Sequence, residues 1–317
     1  MNKENKKQDL AARVAWLYYV AGKTQLDIAS ILGISRQIAQ RLLSAAKEQG
    51  LVNVQIIHPI SECLELAQNL ADKYKLDLVR VVPSKGADLQ SINDMLAQEG
   101  ADVMGMFTHQ SKPQIIGIGS GKTLRNIIDA LPLSEDSQHV SVSLIGAIAR
   151  DGSATRYDVA LKLAEKIACK YFIIPAPLYV DQAQEKQSWC QHRAYQIVKD
   201  KAQQSDAFFI GIGEVGLGCP LNTEQFITDE QVNQLNELGA VAEILGYFID
   251  QNGKPVVSEF NDLTTSIRLP ANSDYNVIAF AAGEHKYSAI RAALKGQYLK
   301  GLVTDEMTAL KLIKELD

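Results

Sequence analysis

The chain opens with apolar residues at helical spacing. Within residues 8–20, Val14, Leu17 and Tyr18 fall at i, i+3 and i+4, the pattern of a helix that packs on one face. Gly22 ends that stretch. Thr24 then stands where a capping residue belongs, ahead of a short helix Gln25–Leu32 with Ile28 and Ile31 turned inward and Ala29 small enough for another helix to cross close by. Gly33 supplies a left-handed turn, and Ser35 caps a third helix running to about residue 49, with Ile38 and Leu42 as its buried rungs. Two short helices joined by a glycine-containing turn predict a helix-turn-helix. Residues 51–57 then alternate apolar and polar, as a strand or small wing would.

Beyond His58 and Pro59 the pattern changes. Helical spacing over residues 61–74 leads to an apolar run at 76–82, after which strand-like runs at 114–119, 140–146, 172–175, 207–213, 277–282 and 300–304 alternate with helical stretches. Strands that are apolar throughout, separated by helices, predict a mostly parallel sheet covered on both faces, with ligands bound at the carboxyl ends of its strands. A chain of 317 residues has room for a small domain at 1–57 and a larger one at 58–317, each with its own core.

Charge sharpens this division. The chain carries a net charge of −5, which by itself argues against a nucleic-acid partner. Residues 1–57 nevertheless hold eight Lys and Arg against four Asp and Glu, a local +4 that leaves −9 for the remainder. A basic head on an acidic body suits a head that approaches phosphate. The expected DNA-binding residues are Thr24 and Gln25 at the start of the second helix and Ser35, Arg36, Gln37, Gln40 and Arg41 on the outer face of the third. Arginine bonds bidentately to guanine and glutamine to adenine, so this face can contact both phosphates and base edges.

Composition excludes other classes. Hydrophobic residues make up 46% and charged residues 22%, as in an ordinary globular protein, and no apolar run is long enough to span a bilayer. The polar start of the chain has no signal core, so a cytoplasmic protein is expected. The four cysteines and five histidines are scattered without ligand spacing, so no metal and no cofactor is expected, and the cysteines read as small buried hydrophobes.

In the larger domain the sharpest local signal runs from Ile115 through Gly117, Gly119, Ser120, Gly121, Lys122 and Thr123 to Leu124. A strand enters a glycine-rich turn and then a helix, so unpaired N–H groups and a helix dipole converge where an anion can sit. The ATP-binding P-loop needs four residues between its glycines, and Gly117 and Gly121 enclose three, so nucleotide hydrolysis is rejected and phosphate binding kept. Gly211, Gly213 and Gly216 satisfy the dinucleotide-binding pattern literally, but Pro220 breaks the helix that pattern requires. That segment reads as a wide loop at the sheet edge, with Glu214 a candidate hydroxyl acceptor. Lys286, in the first turn of a helix, is poorly placed for the dipole unless an anion lies near.

As an ordered set these motifs resemble the SorC family of sugar-responsive transcriptional regulators. The resemblance rests on Tyr18–Ser35, on the loop at 117–124, on Ile174 to Leu178, on Gly211 to Gly213, on Ala242 to Phe248, on Ala282 to Lys286 and on Leu302 to Glu306. It implies a Rossmann-like α/β effector domain related to sugar-phosphate isomerases and deaminases, in regulators that are usually tetramers. By motif position it implies phosphate at Gly119, Ser120, Gly121, Lys122 and Thr123, and sugar hydroxyls near Pro177, Leu178, Glu243 and Lys286. Family members often have a second glycine where this chain has Glu284, and an aspartate where it has Glu243. The expected function is a regulator, a repressor of a carbohydrate operon, that binds operator DNA, answers to a phosphorylated sugar or polyol and has no catalytic residues. Two alternatives stay open: a sugar-phosphate isomerase or deaminase with an accessory DNA-binding head, in which Glu243 would be the base and Lys286 the polariser, and an oligomerisation module without ligand.

Overall fold

A computed structural model of the chain describes residues 3–52, 59–134, 137–148 and 159–314. It divides into two compact units, Met1–His58 and Pro59–Asp317.

Among its described residues the first unit holds three helices, α1 (Lys3–Tyr19), α2 (Gln25–Leu32) and α3 (Arg36–Glu48). Thr24 and Asp27 form a reciprocal capping box at the start of α2, Gly33 closes that helix at φ +64°, and the Ser35 hydroxyl accepts from the Ile38 N–H to start α3. The core is Ala11, Val14, Ala15, Ile28, Ala39, Leu42, Leu43 and Ala46. Three expected inward residues, Tyr18, Ile31 and Ile38, are exposed. On α3 the buried stripe runs 39, 42, 43, 46, which rotates Ile38 out of it; on α2 the residue one full turn after Ile28 that packs on the core is Leu32, not Ile31. Tyr18 sits in the last turn of α1, where its ring stacks edge-on against Tyr19 at 5.0 Å. The expected strand or wing falls on residues 51–57, of which 53–57 lie outside the described residues.

The second unit begins with α4 (Pro59–Tyr74), β1 (Leu78–Val82), α5 (Leu89–Thr108), β2 (Ile115–Ile118), α6 (Lys122–Ala130) and β3 (Val140–Ile148). It continues through α7 (Val159–Ile167), β4 (Lys170–Pro177), α8 (Ala183–Gln191), α9 (Arg193–Gln203), β5 (Ala207–Gly211) and β6 (Gly213–Glu214). After α10 (Pro220–Thr223), α11 (Asp229–Glu237), β7 (Ala240–Ile244), β8 (Tyr247–Asp250) and α12 (Glu259–Leu263), it closes with β9 (Val277–Phe280), α13 (Tyr287–Lys295), β10 (Gly301–Asp305) and α14 (Glu306–Lys314).

Seven strands form one sheet in the order β1-β10-β9-β5-β2-β3-β4, and every pair in it is parallel. Successive strand residues feed opposite faces. Phe208 and Ile210 of β5 join a core with Leu66, Val198 and Ile290, while Ala207 and Phe209 join one with Leu96, Ile127 and Leu163. Burial on both faces explains why these strands are apolar without alternation. The chain leaves β2 toward β3 and β4, and leaves β5 toward β9 and β10, so the connections diverge between β2 and β5. That divergence opens a crevice at the carboxyl ends of those two strands, the place where open α/β sheets bind ligands.

A second sheet, β6-β7-β8, is antiparallel and was not expected from the sequence. The segment after Gly211 is therefore not a wide loop: Gly213 and Glu214 pair with Glu243 and Ala242. Of the cysteines, Cys63 and Cys219 are buried, whereas Cys169 and Cys190 are half-buried and not the fully buried hydrophobes expected.

Candidate functional site

The crevice between β2 and β5 holds a cavity of about 130 Å³. That is the size class of a cavity that takes benzene, so its scale is that of a single small molecule and not an oligosaccharide. Its floor is built by three strand ends: Gly146 of β3, Gly211 at the end of β5, and Ser120 and Gly121 just after β2. One wall is apolar, from Ile145, Leu178, Ile212, Leu221, Phe226 and Leu245. The polar side chains are those of Ser120, Lys122, Thr123, Glu224, Glu243 and Lys286.

The start of α6, like those of α8 and α13, carries no side-chain cap. Thr24, Ser35 and Asp88 each cap a helix with a side chain, but Gly121, at φ +120°, makes no side-chain cap bond. The N-cap residue of α6 therefore offers no side-chain acceptor to the first-turn N–H groups, and Lys122 and Thr123 of that turn line the cavity. Lys122 is exposed beside it.

The same cavity is lined by a carboxylate and ammonium cluster. Glu243 accepts a hydrogen bond from the Gly246 N–H and lies against Gly213. Burial raises its pKa, opposed by the Gly246 N–H and the Lys286 ammonium, while the Glu214 carboxylate raises it further. Lys286 donates to the Ile212 carbonyl at 2.9 Å, with Glu214 Oε2 3.7 Å away. The protein itself thus supplies negative charge to Lys286, and the helix-dipole reason for expecting an anion there does not hold. Glu214 Oε2 is buried without a hydrogen-bond partner.

Seven of the nine expected effector residues, namely Ser120, Gly121, Lys122, Thr123, Leu178, Glu243 and Lys286, line the cavity together. Gly119 and Pro177 do not line it. The Gly119 N–H is committed to the Phe209 carbonyl at 2.9 Å and Leu245 packs over its Cα, so it holds the loop rather than offering a donor. The Pro177 carbonyl accepts from Thr265 Oγ1 at 2.5 Å and pins the strand end that carries Leu178. Sequence reasoning missed Gly146 and Gly211, which the rule of strand carboxyl ends could have supplied. Glu224, Phe226 and Leu221, from the loop around α10, carry no local signal.

In the first unit, Thr24, Ser35, Arg36, Gln37, Gln40 and Arg41 are exposed and Gln25 is half-buried. Gln37, Gln40 and Arg41 share a shallow groove on α3 with Ser44, Ala45 and Glu48, which the sequence reading did not single out. The hydroxyls of Thr24 and Ser35 serve as helix caps. Among the described residues no helix is long and apolar enough to cross a membrane, and no group of three or more His, Cys, Asp and Glu is placed to hold a metal ion.

Comparison with known proteins places this geometry. A family model described as a "Putative sugar-binding domain" matches residues 58–314. The erythritol catabolism regulatory protein EryD of Brucella abortus is 34% identical over 304 residues, covering 96% of each chain. The transcriptional regulator LsrR of an Enterobacter species is 31% identical over 307 residues, 95% of this chain and 92% of that one. The crystal structure of the full-length sorbitol operon regulator SorC from Klebsiella pneumoniae matches with a TM-score of 0.73 at 28% identity, covering 98% of this chain and 100% of that chain. These relatives are regulators and not enzymes, which sets aside the isomerase or deaminase alternative. The chain belongs to the SorC family of sugar-responsive transcriptional regulators.

Proposed function

We propose that the cavity of residues 58–317 takes a phosphorylated sugar or polyol, and that its occupancy controls how residues 1–57 read operator DNA. The observation that carries this is one cavity lined both by the start of α6, whose N-cap Gly121 makes no side-chain cap bond, and by a carboxylate and ammonium cluster. In this reading the phosphoryl group bonds to the first-turn N–H groups of α6, with Lys122 and the Thr123 hydroxyl beside it. Glu243 accepts from the hydroxyls, and Lys286 exchanges its contact with Ile212 for an oxygen of the ligand. Gly119 and Pro177 act at one remove, by holding the loop and the strand end. A four-carbon polyol phosphate heads the candidates, because one relative is named for erythritol catabolism.

Arg36, Gln37, Gln40 and Arg41 supply the base and phosphate contacts, and of the residues at the helix starts Gln25 offers its N–H to a phosphate while Thr24 and Ser35 hold the caps. The protein acts in the cytoplasm as a homotetrameric repressor, released when the ligand favours a state of lower DNA affinity. A gel-shift assay on the region upstream of its own operon, with a panel of sugar and polyol phosphates, tests this. Operator binding that one phosphate relieves is expected; no operator binding, or a complex indifferent to every phosphate, overturns it.

A further inference from the structure

Four glycines line the cavity: Gly121, Gly146, Gly211 and Gly213. Backbone conformation or a close neighbour accounts for three of them. Gly121 has a φ of +120°, which side chains rarely adopt. A Cβ on Gly146 would lie 2.7 Å from the Pro177 carbonyl oxygen, and one on Gly213 would lie 2.6 Å from Glu243 Oε2. Gly211 has neither reason. Its φ lies outside the left-handed region, and a Cβ there would meet nothing nearer than the Ser120 carbonyl oxygen at 3.8 Å, an ordinary contact. Yet it ends a central strand whose other residues are Ala207, Phe208, Phe209 and Ile210, and it stands in register with Phe280 of β9. Glycine at such a place weakens the strand through chain entropy and lost packing. Close approach of another molecule to the backbone accounts for it.

The neighbours of Gly211 say which part of a ligand approaches. Ser120, whose carbonyl faces it, immediately precedes the uncapped start of α6. A phosphoryl group at the N–H groups of Lys122 and Thr123 would have Gly211 within reach of its ester carbon, since the Ser120 carbonyl oxygen lies 3.8 Å from a Cβ built on Gly211 and all of these residues line one cavity. Gly213 and Glu243, paired in the second sheet, line the same cavity. We propose that Gly211 is a specificity-determining residue whose bare Cα receives the carbon that carries the phosphoryl group, so that the site distinguishes a phosphate monoester from inorganic phosphate. The inference rests on the function proposed above and adds an orientation to it: phosphate toward α6, carbon chain over the end of β5, hydroxyls toward Glu243.

The test uses the full chain with Gly211→Ala, and Gly216→Ala as a control, since a Cβ at Gly216 also meets nothing and Gly216 lies off the cavity. Thermal-shift titrations are run with inorganic phosphate and with glycerol 3-phosphate, erythritol 4-phosphate and ribitol 5-phosphate. Gly211→Ala is expected to melt at or above the parent's temperature without ligand, because alanine restricts the unfolded chain. It keeps the parent's response to inorganic phosphate and loses at least tenfold in affinity for whichever ester the parent prefers. Gly216→Ala changes neither. Ester affinity within threefold of the parent overturns the inference, as does an equal loss for ester and inorganic phosphate. A melting temperature well below the parent's also overturns it, by showing that the fold needs this glycine. If the parent answers to none of the esters, the proposed effector class itself fails, an outcome distinct from the others, and the inference falls with it.

Discussion

Asp305 is buried and Glu243 half-buried near strand ends, and the surroundings of these two carboxylates treat them in opposite ways. Asp305 accepts from the Gly283 N–H at 2.7 Å, from Ser84 Oγ at 3.0 Å and from the Thr308 N–H and Oγ1 at 3.0 and 2.5 Å. Next to it, Glu306 accepts from the Ser84 and Lys85 N–H groups and pairs with the Lys85 ammonium, which also reaches Glu62. Despite burial, the sum of these bonds holds both carboxyls below the usual range. Around Glu243 the balance is reversed: burial outweighs its bond from Gly246, and Glu214 Oε2 nearby has no hydrogen-bond donor at all. The two clusters adjoin, since Asp305 fixes Gly283 and the turn from Gly283 carries Lys286 into the cavity. A closed polar network sets geometry; an open one has bonding capacity left for a ligand.

This contrast is broken most forcefully at Asp305. Asp305→Ala removes the acceptor of four bonds and leaves buried donors stranded, which should cost about 3–5 kcal/mol of stability by denaturant midpoint. Glu243→Gln keeps shape and removes a charge that burial already disfavours, so stability should change by less than about 1 kcal/mol. Its affinity for the preferred polyol phosphate should instead fall by about 1.5–3 kcal/mol, the worth of hydrogen bonds to a charged group. If Glu243→Gln destabilised as much as Asp305→Ala, both clusters would be structural.

Acid should separate the clusters as well. Asp305 and Glu306 have lowered folded-state pKa values, so their contribution is complete above the ordinary carboxylate range and is lost as pH falls through the folded values. Glu243 has a raised one, so it binds a proton more readily folded than unfolded and opposes stability above its folded pKa. Melting curves across the acidic range should show Asp305→Asn with a flatter loss of stability at the low end. Glu243→Gln should be relatively more stable than the parent at neutral pH, and that advantage should shrink on acidification.

Much of the closed framework was legible in the sequence because its causes are local. Thr24, Gly33 and Ser35 fix the ends of α2 and the start of α3 by capping and turn chemistry alone, and the apolar runs at 115–118, 207–211 and 277–280 reflect a sheet buried on both faces. The glycine-containing turn from β2 into α6 was legible for the same reason. The hairpin of β7 and β8 was not. Its two-residue turn, Leu245 at φ +53° and Gly246 at φ +81°, belongs to a type that favours asparagine first, and leucine there hides the signal. Tertiary packing explains that leucine, which lies over Gly119 and lines the cavity. Gly119 itself looked like a phosphate donor until its N–H was found bonded to Phe209, a partner 90 residues away that no local pattern reveals.

The same distinction between closed and open polar groups divides the head, with smaller effects. Arg36 is exposed on the first turn of α3. Arg36→Ala should weaken operator binding by about 1–3 kcal/mol if it contacts a base, with effector affinity unchanged. The Thr24 hydroxyl is committed: it donates to Asp27 Oδ2 at 2.7 Å and accepts from the Asp27 N–H at 3.2 Å, while its own N–H donates to the same carboxylate at 3.0 Å. Thr24→Ala should therefore cost the head about 1 kcal/mol, read in the full chain as roughly fivefold faster hydrogen exchange of the α2 amides, and Thr24→Ser should restore it. Operator affinity measured where the head remains folded should match the parent in both variants. A loss of operator affinity in Thr24→Ala without faster exchange would place that hydroxyl on the DNA instead of in the cap, and would move Thr24 from the closed set to the open one.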